Sequence, residues 1–242
     1  MANSITLRRA GIAILAAVAA IALALSCGAG KAWAGGGSSI DYLDKNKTVY
    51  VSYLGKDLDL GVRGYGDAKS IAKEKSSNTQ VATVAVYKTT TGGTWYNMVV
   101  TLKRPGATKL SYTHAGKKHA VNYVIKKYAN PIKAFKIGAK NYASLFTAKK
   151  MQCNSNGSYS AATPAKAFNG KMKITPAAGW KVNSIHTSTS AGIAKLKNGS
   201  KLKATTFLQV EMKNKKTGQL ENFLFSAMGD YYKYFKQMLK AA

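Results

Sequence analysis

The chain has 242 residues and carries 37 Lys and Arg against 9 Asp and Glu, a formal net charge of +28. A positive field of that size draws polyanions with salt-sensitive affinity. So few carboxylates leave little material for paired-acid catalysis or a carboxylate-lined cation site.

In chain order, Met1 to Ala34 reads as a secretion signal. Arg8 and Arg9 form its charged start, Ala10 to Leu25 is apolar, and Ala32-Trp33-Ala34 matches a small-x-small cleavage site before Gly35. The apolar run of 16 residues is short of the ~20 that span a bilayer. The pattern therefore predicts contact with the membrane through the signal only. Cys27 offers lipidation as an alternative to cleavage after Ala34, although Leu23 and Ala24 precede it at the wrong spacing. Losing 34 of 242 residues would leave 208, too many for one sandwich of about 100 residues and right for two. Cys153 would then be the one cysteine left, so no internal disulfide is expected.

Residues 35–48 are a lead-in that opens on a flexible Gly/Ser stretch. The first strand is expected within Ile40 to Tyr53, with Val49 and Val51 on one face. Ser76-Ser77-Asn78 favours a turn, and Val81, Thr83, Val84 and Val86 are β-branched residues suited to a half-buried strand. Further strands are expected at Tyr96 to Lys103, Thr108 to His114 and His119 to Lys126. Arg104-Pro105-Gly106 and Ala115 to Lys118 supply the breaks. Short strands with regular turns predict an all-β sandwich.

The order "SSNTQVATV", "VTLKRPGATKLSYTHAGKK" and "AVNYVIK" resembles the bacterial Ig-like domain family, group 2, over about Val49 to Lys127. Ala107-Thr108 stands where many members have Gly-Thr. The resemblance implies a seven-strand sandwich exposed at a bacterial surface, with no catalytic residues.

Ala129-Asn130-Pro131 is the expected boundary, because Pro after a strand interrupts it. Beyond it, Ile132 to Ile137 is expected as an edge strand, and Met151 to Pro164 as loop or short strands. Lys171 to Thr175, Trp180 to His186, Ala194 to Lys197 and Thr205 to Met212 read as strands. Asn198-Gly199 is a hairpin signal. Asn214 to Gly218 turns the chain into a strand over Gln219 to Ala227, which would place Glu221 opposite Met212 and leave Glu211 on the other face. Tyr231, Tyr234, Phe235, Met238 and Leu239 follow helical spacing, with Asp230 as the expected N-cap of a helix docked on its own domain.

Candidate chemistry is thin. Cys153 would need a neighbouring His, and His186 is the one His in its half. His114 and His119 flank a turn without a third metal ligand. Asp57 and Asp59 share a strand face, with Asp67 nearby, and read as a solvated face rather than a calcium site. Of the 34 basic residues after the leader only Arg63 and Arg104 are Arg; the rest are Lys, a point charge suited to non-specific attraction. Lys117, Lys118, Lys126, Lys127, Lys149, Lys150, Lys213, Lys215 and Lys216 form the clusters and are the candidate binding residues.

The expectation is two tandem Ig-like β-sandwich domains, residues 49–128 and 131–242, the second with a C-terminal helix, at the cell surface or outside the cell. The expected function is a non-catalytic binding or adhesion module for anionic cell-wall polymers or glycans, with a surface protein as a further candidate partner. No cofactor, metal or specific nucleic acid is expected. Two alternatives stand beside it: a structural spacer or accessory domain of a surface assembly, and an enzyme with a site near Trp180, His186 and Cys153.

Overall fold

The computed structural model describes residues 48–55, 58–65, 71–89, 95–114, 116–154, 157–189 and 192–241. The leader, the start of the expected first strand, Asp57, Asp67 and the side chains of Asp59, His114 and Met238 lie outside what is described.

Seven strands build the first sandwich: β1 (Thr48–Tyr53), β2 (Leu58–Tyr65), β3 (Ala72–Ser76), β4 (Ala82–Thr89), β5 (Trp95–Leu102), β6 (Gly106–His114) and β7 (Lys117–Lys127). One sheet runs β1-β7-β6-β3 and the other β2-β5-β4. Alternation explains the assignment. On β7, Val121, Tyr123 and Ile125 are buried while Asn122 and Lys126 face solvent. Val49, Leu110 and Tyr123 of one sheet meet Met98, Val100 and Leu102 of the other in a single apolar core. The turn before β4 is held by the side chains that favour it. Ser76 Oγ lies 2.8 Å from Thr108 Oγ1, and the Asn78 N–H donates to Thr108 Oγ1 at 3.1 Å. Gly106 has φ +152°, and a Cβ built there would lie 2.6 Å from Val81 Cγ2, so the Pro105-Gly106 break presses directly on the core.

The second sandwich follows with β8 (Ile132–Ile137), β9 (Lys140–Asn141), β10 (Gln152–Cys153), β11 (Tyr159–Thr163), β12 (Phe168–Pro176), β13 (Trp180–Thr189), β14 (Gly192–Lys195), β15 (Lys201–Thr205), β16 (Phe207–Asn214) and β17 (Leu220–Ala227). A six-stranded sheet, β10-β11-β17-β16-β13-β14, packs on a four-stranded one, β15-β12-β8-β9. Phe225 centres the core, with ring centroids 5.4 Å from Phe135, 5.2 Å from Tyr142, 5.5 Å from Phe146 and 4.7 Å from Phe168. A 3-10 turn at Gly229–Tyr231 leads into α1 (Tyr232–Ala241). The protein is thus all-β apart from short helical turns and this helix.

Several expectations need correction. Ile132 to Ile137 is not an edge strand: β8 pairs with β12 on one side and with the two-residue β9 on the other, and Ile132, Phe135 and Ile137 are all buried. Asn198-Gly199 does not close a hairpin, because β14 and β15 belong to different sheets. Instead the Asn198 side chain spans the backbone of β12, accepting from Ile174 N–H and donating to Ile174 O, both at 2.8 Å. Thr205 ends β15 rather than opening the next strand. Asp230 sits inside the 3-10 turn, whose N-cap residue is Met228, so it does not cap the helix. The helix lies near β11 with Phe235 buried, while Tyr231 is 61% exposed. The register set by Asn214 to Gly218 is as expected: Met212 lies opposite Glu221, and Glu211 opposite Asn222.

The two sandwiches meet through polar groups as well as apolar ones. Leu54, just after β1, packs in the second core, and Cys153 packs against both. Ser52 on β1 donates to Glu221 Oε1 on β17 at 2.5 Å, and Gln219 Nε2 donates to Ser52 Oγ at 3.1 Å. The Tyr159 hydroxyl donates to Ser52 O at 3.2 Å. Ser52, Gln219, Glu221 and Tyr159 are all buried.

Candidate polyanion-binding surface

Eight of the nine candidate lysines are exposed and Lys213 is half-buried. They do not form one patch. Lys117 and Lys118 pair with His114 and Thr113, so they open β7 rather than sit in a turn. Lys126 and Lys127 end the same strand, about 30 Å away at ~3.3 Å per residue. There they lie opposite Ser52 and Tyr53, at the junction of the sandwiches. Lys213 lies near the end of β16, opposite Leu220, and Lys215 and Lys216 occupy the β16–β17 turn, close to that junction through Gln219 and Glu221. Lys149 and Lys150 close the turn after the 3-10 segment Ala143–Leu145.

The imbalance is sharpest in the second sandwich. Residues 131–242 contain 19 Lys, no Arg and three acids, Glu211, Glu221 and Asp230. Glu211 is 5% exposed and Glu221 3%, so two of those acids offset nothing at the surface. Glu211 Oε1 accepts from Asn183 Nδ2 on the neighbouring strand β13. Lysines not grouped by sequence proximity come together on the four-stranded sheet. Lys173 on β12 lies opposite Lys136 on β8, and Lys171 on β12 opposite Lys201 on β15. All four are exposed. The alternation Lys-Met-Lys at 171–173 and Lys-Leu-Lys at 201–203 was the available signal, but which strands pair was not written locally.

The other candidates for chemistry are dispersed. His119 stacks on the Tyr112 ring, centroids 4.9 Å apart, which occupies its face with packing. Cys153 on β10 and His186 on β13 have β11, β17 and β16 between them. Four strand spacings of ~4.8 Å place them about 19 Å apart, so they do not form a thiol–imidazole pair. Burial, then the cross-strand Lys195, holds the His186 imidazole below its ordinary value. Glu211 and Glu221 point to opposite faces of their sheet and cannot face one glycosidic bond together. Burial pushes the Glu221 carboxyl up to about 7, against hydrogen bonds from Ser52 and Gln219 that favour its charged form. Tyr128 and Tyr159, beside it, are both held above the ordinary phenol range, chiefly by burial. Among the described residues no group of three His, Cys, Asp or Glu is placed to hold a metal ion.

No protein-family model matches the chain, and no curated protein matches it. The narrower assignment to bacterial Ig-like group 2 therefore has no family model behind it. Among solved structures, the chain is similar to S-layer protein SbsC domains 4 and 5 at 20% identity and TM-score 0.24, spanning 34% of this chain and 42% of that one. It is also similar to SbsC domains 5–6 at 13% identity and TM-score 0.27, over 76% of this chain and 95% of that one. Mouse clustered protocadherin PcdhgC3 EC1-3 matches at 13% identity and TM-score 0.25, over 76% of this chain and 66% of that one. At these identities and TM-scores the likenesses carry no argument about activity, ligands or location.

Proposed function

We propose that the protein is an exported, surface-associated, non-catalytic module that holds anionic cell-wall polymers or glycans electrostatically. The observation that carries this reading is the second sandwich, where 19 lysines face an acid complement of three, two of them buried. Such a surface is uncompensated from within and gains by collecting anions from outside. The leader pattern of residues 1–34 supports export. The test is co-sedimentation with Gram-positive cell walls, with and without their anionic polymer, over a salt series. Binding that needs the polymer and falls steeply with salt is the expected result; no binding at low salt refutes it.

A second reading, a structural spacer within a surface assembly, is favoured by the buried bonds that tie Ser52 of the first sandwich to Gln219 and Glu221 of the second. It predicts a fixed angle between the sandwiches in small-angle scattering and no affinity for wall or glycan.

A further inference from the structure

We propose that the outer face of the four-stranded sheet β15-β12-β8-β9 is the docking face for a flexible phosphodiester polymer of the polyol-phosphate kind. This rests on the polyanion reading above and adds which face binds and which chemistry it selects.

Like charges directly opposite on neighbouring strands are destabilising. This sheet has two such pairs side by side, Lys136 with Lys173 and Lys171 with Lys201. Lys203 follows one repeat along from Lys201, on the same side of buried Leu202. Opposite pairs have Cβ atoms about 5 Å apart, and residues two along a strand are about 6.6 Å apart. The five ammonium groups therefore form one dense zigzag on a fixed scaffold. No Asp or Glu occurs on β8, β9, β12 or β15. Lys136 has Asn141 as its other cross-strand neighbour, where a carboxylate would have neutralised it. The positions beneath, Phe135, Met172, Ile174 and Leu202, are buried, so the lysines cannot turn inward. An anion from outside relieves what the sheet leaves uncompensated.

Two features select the chemistry. Every cation on the face is Lys, a compact, mobile point charge that follows a flexible chain of anions without the fixed planar fork by which Arg holds one carboxylate or phosphate in one orientation. None of the four strands presents an exposed aromatic ring among the described residues; Phe135 and Phe168 are both buried. Sugar rings and bases recognised by stacking would want such a platform. What remains is a backbone read by its repeating charge.

The test measures binding of the full chain to purified poly(glycerol phosphate), with polygalacturonate as the carboxylate comparison. Wild type, a K136Q/K171Q/K173Q/K201Q variant, its four-arginine counterpart K136R/K171R/K173R/K201R, and a control K117Q/K118Q/K215Q/K216Q variant are compared. Single-stranded polyanions lose about 0.7 in log–log salt slope per contact, so four contacts give roughly −3, a ~50-fold loss of affinity over a fourfold salt increase. The expected result is a slope shallower by about 3 and affinity weaker by more than about tenfold at low salt in the sheet Gln variant. The Arg variant should retain binding and the control variant most of it. Equal loss in the sheet and control variants overturns the docking face while leaving the polyanion reading intact. Preference for polygalacturonate overturns the phosphate assignment. No binding of wild type to either polymer overturns both readings. The four positions are exposed and like-charged, so the Gln variant should fold; circular dichroism of all four proteins checks this, and the charge-retaining Arg variant separates charge from fold.

Discussion

Replacing Glu221 by Gln isolates one buried carboxyl at the junction of the sandwiches. Its acid is pushed from 4.5 to about 7, chiefly by burial. A carboxyl whose folded pKa is raised binds more protons in the folded state than in the unfolded chain between those two values. Its contribution to stability is complete below about pH 4.5 and is lost as pH rises toward 7. At 1.36 kcal/mol per pH unit the loss is about 3 kcal/mol, or roughly 6–12 °C in Tm for a chain of this size. The groups that face Glu221 do not obscure this. Tyr128 and Tyr159 stay neutral throughout the window, since both are held above the phenol range. His186 runs the opposite way, because its lowered pKa costs stability as pH falls through the range near 6.5, and it is the same in both proteins. Thermal unfolding of wild type and Glu221→Gln at intervals from pH 5 to pH 8 is the assay. Wild type should lose stability over the window, while the variant should lose none and rise slightly through the His186 range. A variant that keeps the full wild-type drop would show that Glu221 is not the titrating group.

Other perturbations test the packing. Gly106→Ala should cost about 1–3 kcal/mol in denaturant unfolding, from the contact with Val81 and the positive φ together; an unchanged midpoint would mean that the β5–β6 turn shifts freely. Phe225→Ala removes the ring shared by four aromatic neighbours and should cost about 3–5 kcal/mol, seen as a lower midpoint in the second sandwich's transition. Asn198→Ala leaves the Ile174 N–H and C=O without their side-chain partner and should cost about 1–3 kcal/mol, with faster amide exchange at Ile174 as the local signature.

The legible parts of the fold were those written by neighbours in sequence. Asn214 to Gly218 makes a short turn, and counting outward from it places Met212 against Glu221, as the structure has it. Ser76 to Asn78 marks a turn because short polar side chains bond nearby backbone, and they do so here. Asn198-Gly199 shows the limit of the same logic. It marks a turn correctly but cannot say whether the flanking strands pair, and the two sandwich sheets claim one strand each. The site was less legible still. Lys136 meets Lys173, and Ser52 meets Glu221 across 169 positions, through strand pairing that only the packed core decides. Clustering lysines by adjacency picked out Lys117-Lys118 and Lys126-Lys127, which strand geometry puts at opposite ends of β7.

The lysine face implies a trade between stability and binding that one substitution can separate. In Lys136→Glu the new carboxylate would stand opposite Lys173, turning a like-charge cross-strand pair into an opposite-charge one. Position 136 is exposed and buries no partner, so the backbone of β8 need not move. Cross-strand pairs of this kind contribute about 0.2–1 kcal/mol, and removing the repulsion adds a similar amount. If the face exists to bind, Lys136→Glu should raise the unfolding midpoint at low salt, and the gain should shrink as salt screens the pair. The same variant should bind poly(glycerol phosphate) more weakly than a Lys136→Gln variant, because it reverses a charge rather than removing one. A midpoint that falls at low salt would mean that the lysines do not repel one another in the folded sheet. The physical ground for assigning a ligand to that face would then be gone.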